Sequence, residues 1–583
     1  MVNALLVYPK NPITFWSFDE SLKIAGKKSA FPPNGLLTVA GMLPDKYDVK
    51  LVDTNVSKLE DKDLEWADVV LSSGMIIHWD SLEEIIKRAN EAEKPIMAGG
   101  PLSTQYHHKI KGNATFFRGE AETGYLDELE KIVAGGYREG REVIDRSGQF
   151  VSMEKVPLQR FDLIKETMKK YGAMAMQITR GCPKTCTFCN IPFLYGKESR
   201  LKNTERITKE LDMLYNMGWK GTLMIVDDNI VGNQKAIIPI LKELEKWQKE
   251  RDFPFSLVTQ ASLYMYESEE LMESMYKAGF SQVFIGIESP SKESLKFMGA
   301  QKNLQGKNER GKRPMLEKIL DIQENYFKVT AGFILGLDTD PDDIAELMKE
   351  FIQESRIGVA MVGPLVVLPD TPDYTRYSMQ GRLPDVRNSG NTGTIARSLN
   401  YIPQDRNGNR IDPQIILDRH RDVLEFIYDP KNVLNREIEY LRHRKRRPLP
   451  KGNLGYPKFG SFLRSIWYQG LSKGYRGEYF SYLYDVFKND KKNFADSVGY
   501  AIRSHHLITT TRESLKANDL NTYIDRIVGD ATENYDRLKS NILKNTQEIR
   551  ARYRDINVAF REMLDKRYRM AIESTLRPSS YET

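Results

Sequence analysis

The stretch Arg180-Gly181-Cys182-Pro183-Lys184-Thr185-Cys186-Thr187-Phe188-Cys189-Asn190 contains all three cysteines of this 583-residue chain. Their spacing is C-x-x-x-C-x-x-C. Three thiolates this close together can hold three irons of a 4Fe-4S cube and leave the fourth iron open to a small molecule. The motif therefore predicts that Cys182, Cys186 and Cys189 bind an open iron–sulfur cluster.

Other roles for these cysteines fit the residue counts less well. A disulfide framework is typical of short secreted chains with an even number of cysteines. A structural zinc site needs four ligands. No histidine lies near the triplet in sequence; the seven histidines are His78, His107, His108, His420, His443, His505 and His506. Zinc stays an alternative to the cluster.

Length and composition predict several globular domains. Hydrophobic residues make up 40% of the chain and charged residues 28%, which is enough for real cores and argues against wholesale disorder. The net charge of +6 is too small to indicate nucleic-acid binding. No apolar run is long enough for a transmembrane helix, and the N-terminus lacks the features of a signal peptide. An oxygen-sensitive cluster is expected in the cytoplasm.

Residues 1–140 predict a doubly wound, Rossmann-like α/β domain, because apolar strands alternate with amphipathic helices. The expected strands are Ala4–Tyr8, Val49–Asp53, Val69–Ser73 and Pro95–Ala98, with helices over Gly35–Leu43 and Ser81–Ala92. Such sheets bind ligands at the carboxyl ends of their strands. The candidate loops are Pro9–Pro33, Ser72–Gly74 and Gly99–Pro101. The glycine pair Gly99-Gly100 either lets a flat ligand approach the backbone or forms an ordinary turn.

A linker is predicted over residues 141–170, followed by a partial (β/α)6 TIM-type barrel over 171–375. Its six strands are expected to end at Ile178, Val226, Thr259, Gly286, Leu335 and Val367. The cysteine loop follows the first of them, at the barrel end where chemistry occurs in such folds. Polar residues follow later strands, for example Asp227 and Asp228. Each one alone is typical of a helix N-cap.

Residues 376–583 predict a covering segment followed by a mainly helical domain. The covering segment is expected over Ser378–Gly408, and long amphipathic helices over Leu520–Arg569. The basic run Arg442–Arg447 is interpreted either as a solvated helix end or as a contact with anionic lipid head groups. Aromatic residues between Phe459 and Phe487 are at helical spacing, which is more typical of a core than of a ligand platform.

The cysteine triplet, with Phe188 before its last cysteine, resembles the signature of radical S-adenosylmethionine (radical SAM) enzymes. The resemblance implies that the open iron binds S-adenosylmethionine and that the reduced cluster cleaves it to methionine and a 5′-deoxyadenosyl radical. It further implies that Phe188 and Gln260 line the cofactor pocket and that Glu288 binds the amino group or ribose. Gly332 and Gly336 would admit the adenine and methionine parts. Asp227 and Asp228 would face substrate or cofactor, or cap the following helix.

The N-terminal domain resembles that of the cobalamin-binding radical SAM enzymes. The matching stretches are Phe31–Leu37, Ser72–Gly74, Gly99-Gly100 and Gly119–Glu122. The resemblance implies a cobalamin site that includes Pro33, Ser72, Ser73, Gly99, Gly100 and Glu120. The D-x-H-x-x-G motif, whose histidine binds cobalt in other cobalamin proteins, has no match, because Asp53 is followed by Thr54-Asn55-Val56-Ser57. The axial cobalt ligand is therefore left open.

The stretches Thr14–Phe18, Gly26–Pro33 and Tyr475–Phe480 resemble those of the hopanoid methylase group and its uncharacterised relatives, and this narrower resemblance extends to about residue 510. It implies an enzyme that uses a 4Fe-4S cluster, S-adenosylmethionine and methylcobalamin to methylate an unactivated sp3 carbon, with a polycyclic lipid as the first candidate substrate. Methylation of a protein residue, and carbon–carbon bond formation or ring rearrangement without methylation, are alternatives. A substrate, an electron donor for the cluster and peripheral membrane contact are the expected partners. The sequence assigns no catalytic acid or base.

Overall fold

The computed structural model describes residues 1–137, 139–300, 303–304, 308–384, 396, 398–446, 459–471, 474–517 and 560–570. The chain divides into two units, Met1–Thr511 and Arg512–Thr583. In the second unit, residues 512–517 and 560–570 are helical. Most of the helical region predicted over Leu520–Arg569 lies outside the described residues, as does much of the covering segment over Ser378–Gly408.

The N-terminal domain is a six-stranded parallel sheet with helices on both faces, which confirms the doubly wound prediction. The strands are β1 (Val2–Tyr8), β2 (Tyr47–Asp53), β3 (Val69–Ser73), β4 (Ile96–Gly99), β5 (Ala114–Arg118) and β6 (Arg141–Asp145), and the helices are α1 (Asp19–Ala25), α2 (Asn34–Ala40), α3 (Asp61–Trp66), α4 (Trp79–Glu91), α5 (Gly100–Tyr106) and α6 (Tyr125–Gly135). The strand order is β2-β1-β3-β4-β5-β6, and all pairs are parallel. One apolar cluster covers each face of the sheet. The order reverses between β1 and β3, and ligands of such sheets bind outside the carboxyl ends of the strands at this switch point.

The sheet has two strands, β5 and β6, that the sequence analysis did not identify. Strand β6 occupies residues that were assigned to the start of the linker. It lies at the edge of the sheet and four of its five residues are exposed. An exposed edge strand lacks the apolar alternation on which strand prediction depends.

The second sheet of the first unit is an open, six-stranded parallel barrel. The strands of this region are β7 (Met174–Met176), β8 (Thr179–Arg180), β9 (Arg200–Leu201), β10 (Gly221–Ile225), β11 (Phe255–Ala261), β12 (Phe280–Glu288), β13 (Lys328–Leu335) and β14 (Ala360–Pro364). The strand order in the barrel is β14-β13-β12-β11-β10-β7, with β7 and β14 at the two edges. A short antiparallel pair, β8–β9, flanks the cysteine loop. The helices are α7 (Ile191–Tyr195), α8 (Thr204–Asn216), α9 (Gln234–Glu250), α10 (Glu269–Lys277), α11 (Lys292–Phe297), α12 (Met315–Asn325), α13 (Ile344–Glu354) and α14 (Pro372–Met379).

The barrel strands bury one face more completely than the other. Along β10 and β11, buried and partly exposed residues alternate without exception. The buried set includes Leu223, Leu257 and Thr259. Side chains alternate between the two faces of a strand, so the partly exposed set shares one face, which we assign to the barrel interior. The interior is therefore accessible, as an active site requires.

The helices after the barrel pack against its last strands. They are α15 (Pro413–Ile427), α16 (Pro430–His443), α17 (Phe459–Ser465), the π-helix Ile466–Leu471 and α18 (Arg476–Asn489), followed by helical residues 494–511. His420 on α15 contacts the Val362 carbonyl at 3.0 Å, and the Tyr428 hydroxyl donates to the Ala360 carbonyl at 2.5 Å, so both reach β14. Among the described residues, no helix combines the length and the apolar character needed to cross a bilayer.

Candidate active site

The cysteine loop follows β7 closely, and backbone hydrogen bonds tie it to three other segments. The Cys182 N–H donates to the Gly196 carbonyl at 3.1 Å, and the Thr187 N–H donates to the Met298 carbonyl at 3.0 Å. The Asp373 N–H on α14 donates to the Thr187 carbonyl at 3.0 Å. All three cysteine residues are partly exposed. The loop backbone is thus anchored to three other segments of the protein.

The three thiols lie close enough to influence one another's protonation. Burial, with further contributions from Cys186, Cys182 and Asp228, raises the pKa of Cys189 to about 12. Metal binding displaces such protons, because the thiolate is the ligand form. Among the described residues, no three His, Cys, Asp or Glu side chains converge on a single metal ion. In a 4Fe-4S cluster each thiolate binds its own iron, and three neighbouring thiols on one loop are the donor set that such a cluster needs.

Asp227, just after β10, holds the start of the cysteine loop. Its buried carboxylate accepts hydrogen bonds from the backbone N–H groups of Ile178 and Thr179, both at 2.8 Å. Burial nevertheless raises the pKa of Asp227 to about 7. The sequence suggested that Asp227 faces substrate or caps the following helix, whereas here it orders the strand-to-loop turn that leads to Cys182.

The next two residues also reach the loop. The Asn229 amide nitrogen lies 3.7 Å from the Cys182 sulfur, and its amide oxygen accepts a hydrogen bond from the Ser262 N–H at 3.0 Å. Asp228 is close enough to Cys189 to contribute to the raised pKa of that thiol. Asp227 and Asn229 therefore hydrogen-bond to the cysteine loop or to the residues that lead into it, and Asp228 acts on it electrostatically, which gives their clustering in the sequence a structural reason.

Glu288 ends β12 in a strained conformation. Its φ of 71° lies in the left-handed region, and the pairing of β12 with β13 is irregular between Gly286 and Glu288. A Cβ atom at position 286 would lie 2.2 Å from the Glu288 Oε1, so only glycine leaves room for this carboxylate. Non-glycine residues are held in such conformations mainly at functional sites. Glu288 is partly exposed at the carboxyl end of its strand, where the sequence predicted a cofactor contact.

Gln260 and Gly332 lie at partly exposed positions on β11 and β13, toward the carboxyl ends of these strands. A Cβ at Gly332 would lie 3.1 Å from the Phe284 ring, so this aromatic side chain occupies the neighbouring space. Phe284 in turn meets Trp16 edge-on, with ring centroids 5.2 Å apart. A residue from the N-terminal domain therefore reaches the barrel strands, which the sequence did not indicate. Phe188 is partly exposed in the cysteine loop beside Cys189.

Gly336, after β13, lies against the C-terminal region. A Cβ there would meet the Tyr401 hydroxyl at 2.4 Å and Ile416 at 2.7 Å, and the φ of 86° also requires glycine. The Tyr401 hydroxyl donates to the Gly336 carbonyl at 2.6 Å. The Gly336 N–H donates to the Asp340 carboxylate at 2.7 Å. Since these contacts already explain the glycine, its role beside the cofactor stays a prediction.

Four of the residues predicted to bind cobalamin lie together at the carboxyl edge of the N-terminal sheet, next to its switch point. Ser72 and Ser73 end β3, while Gly99 ends β4 and Gly100 begins α5. The Ser72 hydroxyl donates to the Val7 carbonyl at 2.8 Å and is buried. Gly100 has a φ of 84°, and a Cβ there would lie 2.6 Å from the Ser73 hydroxyl. The tight turn thus accounts for Gly100, and binding of a flat ligand at this edge stays a prediction.

Glu120 links the N-terminal domain to the barrel. Its buried carboxylate lies 2.5 Å from Arg200 and 3.5 Å from Arg180. Arg180 also donates to both carboxylate oxygens of Glu122, at 3.2 and 3.1 Å. Burial alone would lower the pKa of Arg180, but Glu122 and Glu120 raise it overall. The direct contact of Glu120 with cobalamin stays a prediction, whereas its ion pairs connect β5 to the segment just before Cys182.

A second contact joins the two domains after the last cysteine. The Asn190 amide donates to the Gln105 side-chain oxygen at 2.8 Å. Gln105 also donates to the Pro369 carbonyl at 3.0 Å, after the last barrel strand. Gln105 lies on α5, which begins at the Gly99-Gly100 turn. The sequence offered no signal for Arg180, Arg200 or Gln105, because each partner is distant along the chain.

The basic run near the end of α16 is engaged by acidic residues of the protein itself. Its ion pairs are Arg442 with Asp485 at 2.8 Å, Arg444 with Asp496 at 2.9 Å, Lys445 with Glu324 at 2.8 Å and Arg446 with Glu273 at 2.7 Å. These pairs connect α16 to barrel helices and to later helices. Arg442, Lys445 and Arg446 are exposed, as expected of a solvated helix end, although each is paired within the protein. Contact of this run with lipid head groups stays a prediction, and Arg447 lies outside the described residues.

The residues near both edges fit the groups implied by the resemblance. Beside the cysteine loop, the hydroxyl oxygen of Ser262 is buried without a hydrogen-bond partner among the described residues. On α5, the hydroxyl of fully buried Ser103 is likewise unpartnered within the described part of the chain. A Cβ at Gly35, two residues after buried Pro33, would have nothing within 4 Å, and one at Gly99 would have a single neighbour at 3.9 Å. Polar groups and open backbone are thus present for a cluster-bound ligand and for a flat cofactor.

Comparison with known proteins identifies relatives over nearly the whole chain. The family model of the Radical SAM superfamily matches residues 176–351, and a domain of unknown function, DUF4070, matches residues 371–519. An uncharacterized methyltransferase of Synechocystis sp. is 30% identical over 571 residues, which is 94% of this chain and all of that protein. The hopanoid C-2 methylase of Rhodopseudomonas palustris is 29% identical over 524 residues, which is 88% of this chain and 94% of that one.

Solved structures with a similar fold include two cobalamin-containing radical SAM proteins. OxsB, with aqua-cobalamin and S-adenosylmethionine bound, superposes with a TM-score of 0.52 at 14% identity, over 90% of this chain and 81% of its own. TsrM from Kitasatospora setae, with cobalamin and a 4Fe-4S cluster bound, has a TM-score of 0.51 at 13% identity, over 88% of this chain and all of its own. At this level of identity the likeness concerns the fold.

Proposed function

Because the chain belongs to the radical SAM superfamily, and within it to the family of the Synechocystis methyltransferase, we propose that it is a cobalamin-dependent radical SAM C-methyltransferase. Its proposed substrate carries an unactivated sp3 carbon. The observation that carries the proposal is the contact between the N-terminal domain and the barrel beside the three cysteines. The carboxyl edge of the N-terminal sheet contacts the barrel on both sides of the cysteine triplet, through Glu122 with Arg180 and through Gln105 with Asn190.

The cofactors supply the reactive chemistry of the proposed reaction, and the chain positions it. When bound, cobalamin would supply a methyl group taken from one S-adenosylmethionine, and the reduced cluster would supply a radical from a second one to remove hydrogen from the substrate carbon that then receives the methyl group. Cys182, Cys186 and Cys189 would ligate three irons. Asp227 holds the backbone that leads into the loop, and Asn229 places an amide beside the Cys182 sulfur.

Further residues are proposed to position S-adenosylmethionine. Glu288, at the end of β12, would accept hydrogen bonds from its amino group or ribose, while Gln260 on β11 and Gly332 on β13 would line the same pocket. Phe188 would contact the cofactor from the cysteine loop. Radical chemistry needs a site without water or stray hydrogen donors. The C-terminal region, which contacts Gly336 through Tyr401, would help to exclude them.

The proposed cobalamin site occupies the carboxyl edge of the N-terminal sheet. Pro33, Ser72, Ser73, Gly99 and Gly100 would contact the corrin. Glu120 would act through its ion pairs, by fixing the distance between this edge and the barrel. Similarity to the hopanoid C-2 methylase supports a polycyclic lipid as substrate. A one-electron donor for the cluster, and therefore a reducing compartment such as the cytoplasm, belong to the same proposal.

Anaerobic reconstitution tests the proposal directly. The protein would be loaded with iron, sulfide and hydroxocobalamin, desalted, and examined by absorbance for a cluster and a retained corrinoid. It would then be incubated with reductant, methyl-deuterated S-adenosylmethionine and extracted polycyclic lipids. We expect 5′-deoxyadenosine together with a lipid that gains a labelled methyl group.

Other products would point to other chemistry. Labelled methyl on protein instead of lipid would indicate a protein substrate. 5′-Deoxyadenosine with an altered product that lacks the label would indicate bond formation or rearrangement without methylation. Failure to retain corrinoid beside an intact cluster would contradict the methyltransferase mechanism. The Cys186→Ala variant controls for cluster-independent transfer.

A further inference from the structure

Helix α17 and the π-helix that follows it expose an unusual row of apolar side chains. Phe459, Leu463, Trp467 and Leu471 recur at every fourth residue, so they lie along one side of the two helices. A second row lies on α18 and consists of Phe480, Tyr484 and Phe487. The seven side chains, which we call the aromatic face, are between 43% and 74% exposed.

The two rows adjoin one another. A Cβ at Gly470 in the π-helix would lie 2.6 Å from the Phe480 ring, so this ring of α18 packs against the π-helix at Gly470. Apolar side chains scattered singly over a surface need no explanation, whereas a contiguous apolar patch marks an interaction site. The π-helix and α18 are therefore neighbours, and each contributes exposed apolar side chains to the aromatic face.

The polarity of α17 and the π-helix is inverted relative to that of an ordinary surface helix. The side of α17 and the π-helix turned toward the protein carries Ser461, Ser465 and Gln469, all buried. Gln469 donates to the Ser465 hydroxyl at 2.7 Å, and Ser465 contacts the Tyr479 hydroxyl at 2.9 Å. A helix adapted to water places polar residues outward and apolar residues inward. Here the outward side is apolar, so it is adapted to a surface other than water.

The surroundings of the aromatic face favour an anionic lipid surface. Arg476, Lys488 and Lys491 are exposed on α18 and the turn after it, and the Lys491 ammonium lies 4.9 Å from the centre of the Phe487 ring. Of the nearby acidic residues, Glu478 is exposed and Asp485 is paired with Arg442. Aromatic and Leu side chains bordered by Lys and Arg are typical of helices that lie in the head-group region of a bilayer.

We propose that the aromatic face docks this protein on the surface of an anionic bilayer, from which it takes an apolar substrate. The proposal rests on the proposed function, since it assigns the substrate to lipids that reside in the bilayer. It also differs from the sequence-based expectation, which placed lipid contact in the basic run at 442–447.

Contacts connect the aromatic face to the barrel. Arg464 on α17 donates to the Ile24 carbonyl on α1 at 2.7 Å. The segment just before α1 carries Trp16, whose ring meets Phe284 on β12. Docking at α17 therefore brings the bilayer next to the N-terminal segment that reaches the barrel strands.

Vesicle sedimentation tests the docking surface with the full chain. The reconstituted protein would be mixed with vesicles of phosphatidylcholine alone or with phosphatidylglycerol added. We expect binding to the anionic vesicles that weakens with salt. For the double variant Trp467→Ser/Phe487→Ser we expect the partition constant to fall roughly tenfold or more. Met379→Ser, which removes an exposed apolar side chain on α14, is the matched control and should bind like the parent.

A second readout reports on Trp467 itself. Lipids brominated in the acyl chain quench tryptophan fluorescence at short range. They should quench the parent, whereas Trp467→Phe should bind equally well with less quenching. Equal binding of the parent and the double variant, or no binding by the parent, would overturn the proposal. A dimer in sedimentation velocity that dissociates in the double variant, without vesicle binding, would assign the face to a second copy and also overturn it.

The outcome is separable from that of the proposed function. Formation of 5′-deoxyadenosine in detergent-free solution does not require docking and should be unchanged in the double variant. Vesicle binding without 5′-deoxyadenosine in any variant would contradict the enzymatic proposal and leave docking intact. Formation of 5′-deoxyadenosine without vesicle binding would contradict docking and leave the enzymatic proposal intact.

Discussion

Asp340 is a buried carboxyl group that holds the turn after β13. Its Oδ2 accepts hydrogen bonds from the N–H groups of Gly336 and Leu337 at 2.7 and 3.0 Å, and its Oδ1 accepts one from the Ser294 hydroxyl at 2.6 Å. Burial nevertheless raises the pKa of Asp340 from 3.8 to about 6. Between these values the folded protein keeps a proton that the unfolded chain has lost. This residue's contribution to stability is therefore complete below pH 4 and declines as the pH rises to about 6.

Asp340→Asn should remove this pH dependence. An asparagine can keep both backbone hydrogen bonds through its oxygen and donate to Ser294 through its nitrogen, so the turn survives while titration is lost. Between pH 4 and pH 6 the free energy of unfolding of the parent should fall by up to about 3 kcal/mol relative to that of the variant, because folding raises the pKa of Asp340 from 3.8 to about 6. Urea unfolding of the metal-free protein at several pH values measures this. A constant difference between parent and variant would contradict the assignment.

Cys186 lies between the other two cysteines, and its loss should leave too few thiolates to hold the cluster. We expect Cys186→Ala to lose the charge-transfer absorbance of the cluster and all formation of 5′-deoxyadenosine, because two thiolates hold a 4Fe-4S cube poorly. Thr185→Ala, which changes an exposed neighbour in the same loop, should retain both. Cleavage of S-adenosylmethionine by the Cys186 variant would refute the cluster assignment.

At the scale of elements, the turn from β4 to α5 depends on Gly100. Its left-handed φ, with a Cβ position 2.6 Å from the Ser73 hydroxyl, means that Gly100→Ala should cost about 2 kcal/mol of unfolding free energy. Gly499→Ala is the matched control, because that glycine lies within a helix and its Cβ would meet nothing within 4 Å. The control should gain about 0.5–1 kcal/mol. If both variants lost the same stability, the turn would not be the cause.

The end of α16 offers a comparison between a buried and an exposed ion pair. The Arg444 side chain is 2% exposed and pairs with Asp496, whereas the Lys445 side chain is 65% exposed and pairs with Glu324. Arg444→Ala leaves a partly buried carboxylate without its partner and should cost about 3 kcal/mol. Lys445→Ala should change the unfolding free energy far less, because water and salt screen an exposed ion pair. Thermal unfolding of the two variants checks the ranking, and equal losses would contradict it.

The sequence predicts an element well when its signal is local to that element. Buried strands are predictable because they are apolar runs, and the bounds predicted for β3 of the N-terminal sheet, Val69–Ser73, are those observed. Strand β6 was missed because it is an exposed edge. The cysteine loop was recognisable from local spacing, whereas the partners of Glu120 lie at positions 180 and 200, far along the chain. The aromatic periodicity around α17 predicts a core, whereas the apolar side of this helix faces outward. Periodicity alone does not indicate which side of a helix faces the protein.

For the whole molecule, the important relation is that between the N-terminal domain and the cysteine loop. Arg180 precedes the first cysteine by two residues and binds Glu122, while Asn190 follows the last cysteine and binds Gln105. The loop is thus held from both ends by one domain. Any motion of that domain relative to the barrel would strain the loop, so we expect cofactor geometry and domain packing to be coupled.

A double-mutant cycle on Arg180 and Glu122 tests this coupling. Each single variant, Arg180→Gln or Glu122→Gln, leaves the other, nearly buried charge without this partner. Each should therefore cost about 3 kcal/mol of unfolding free energy. The double variant should lose less than the sum by at least about 1 kcal/mol, because the residues act as a pair. Arg160→Gln, which breaks an exposed pair with Asp162, serves as the control. If the ion pair also sets the spacing of the proposed site, each single variant should form more 5′-deoxyadenosine per methylated product than the parent. Additive losses with an unchanged ratio would show that the contact neither couples the domains nor positions the reaction.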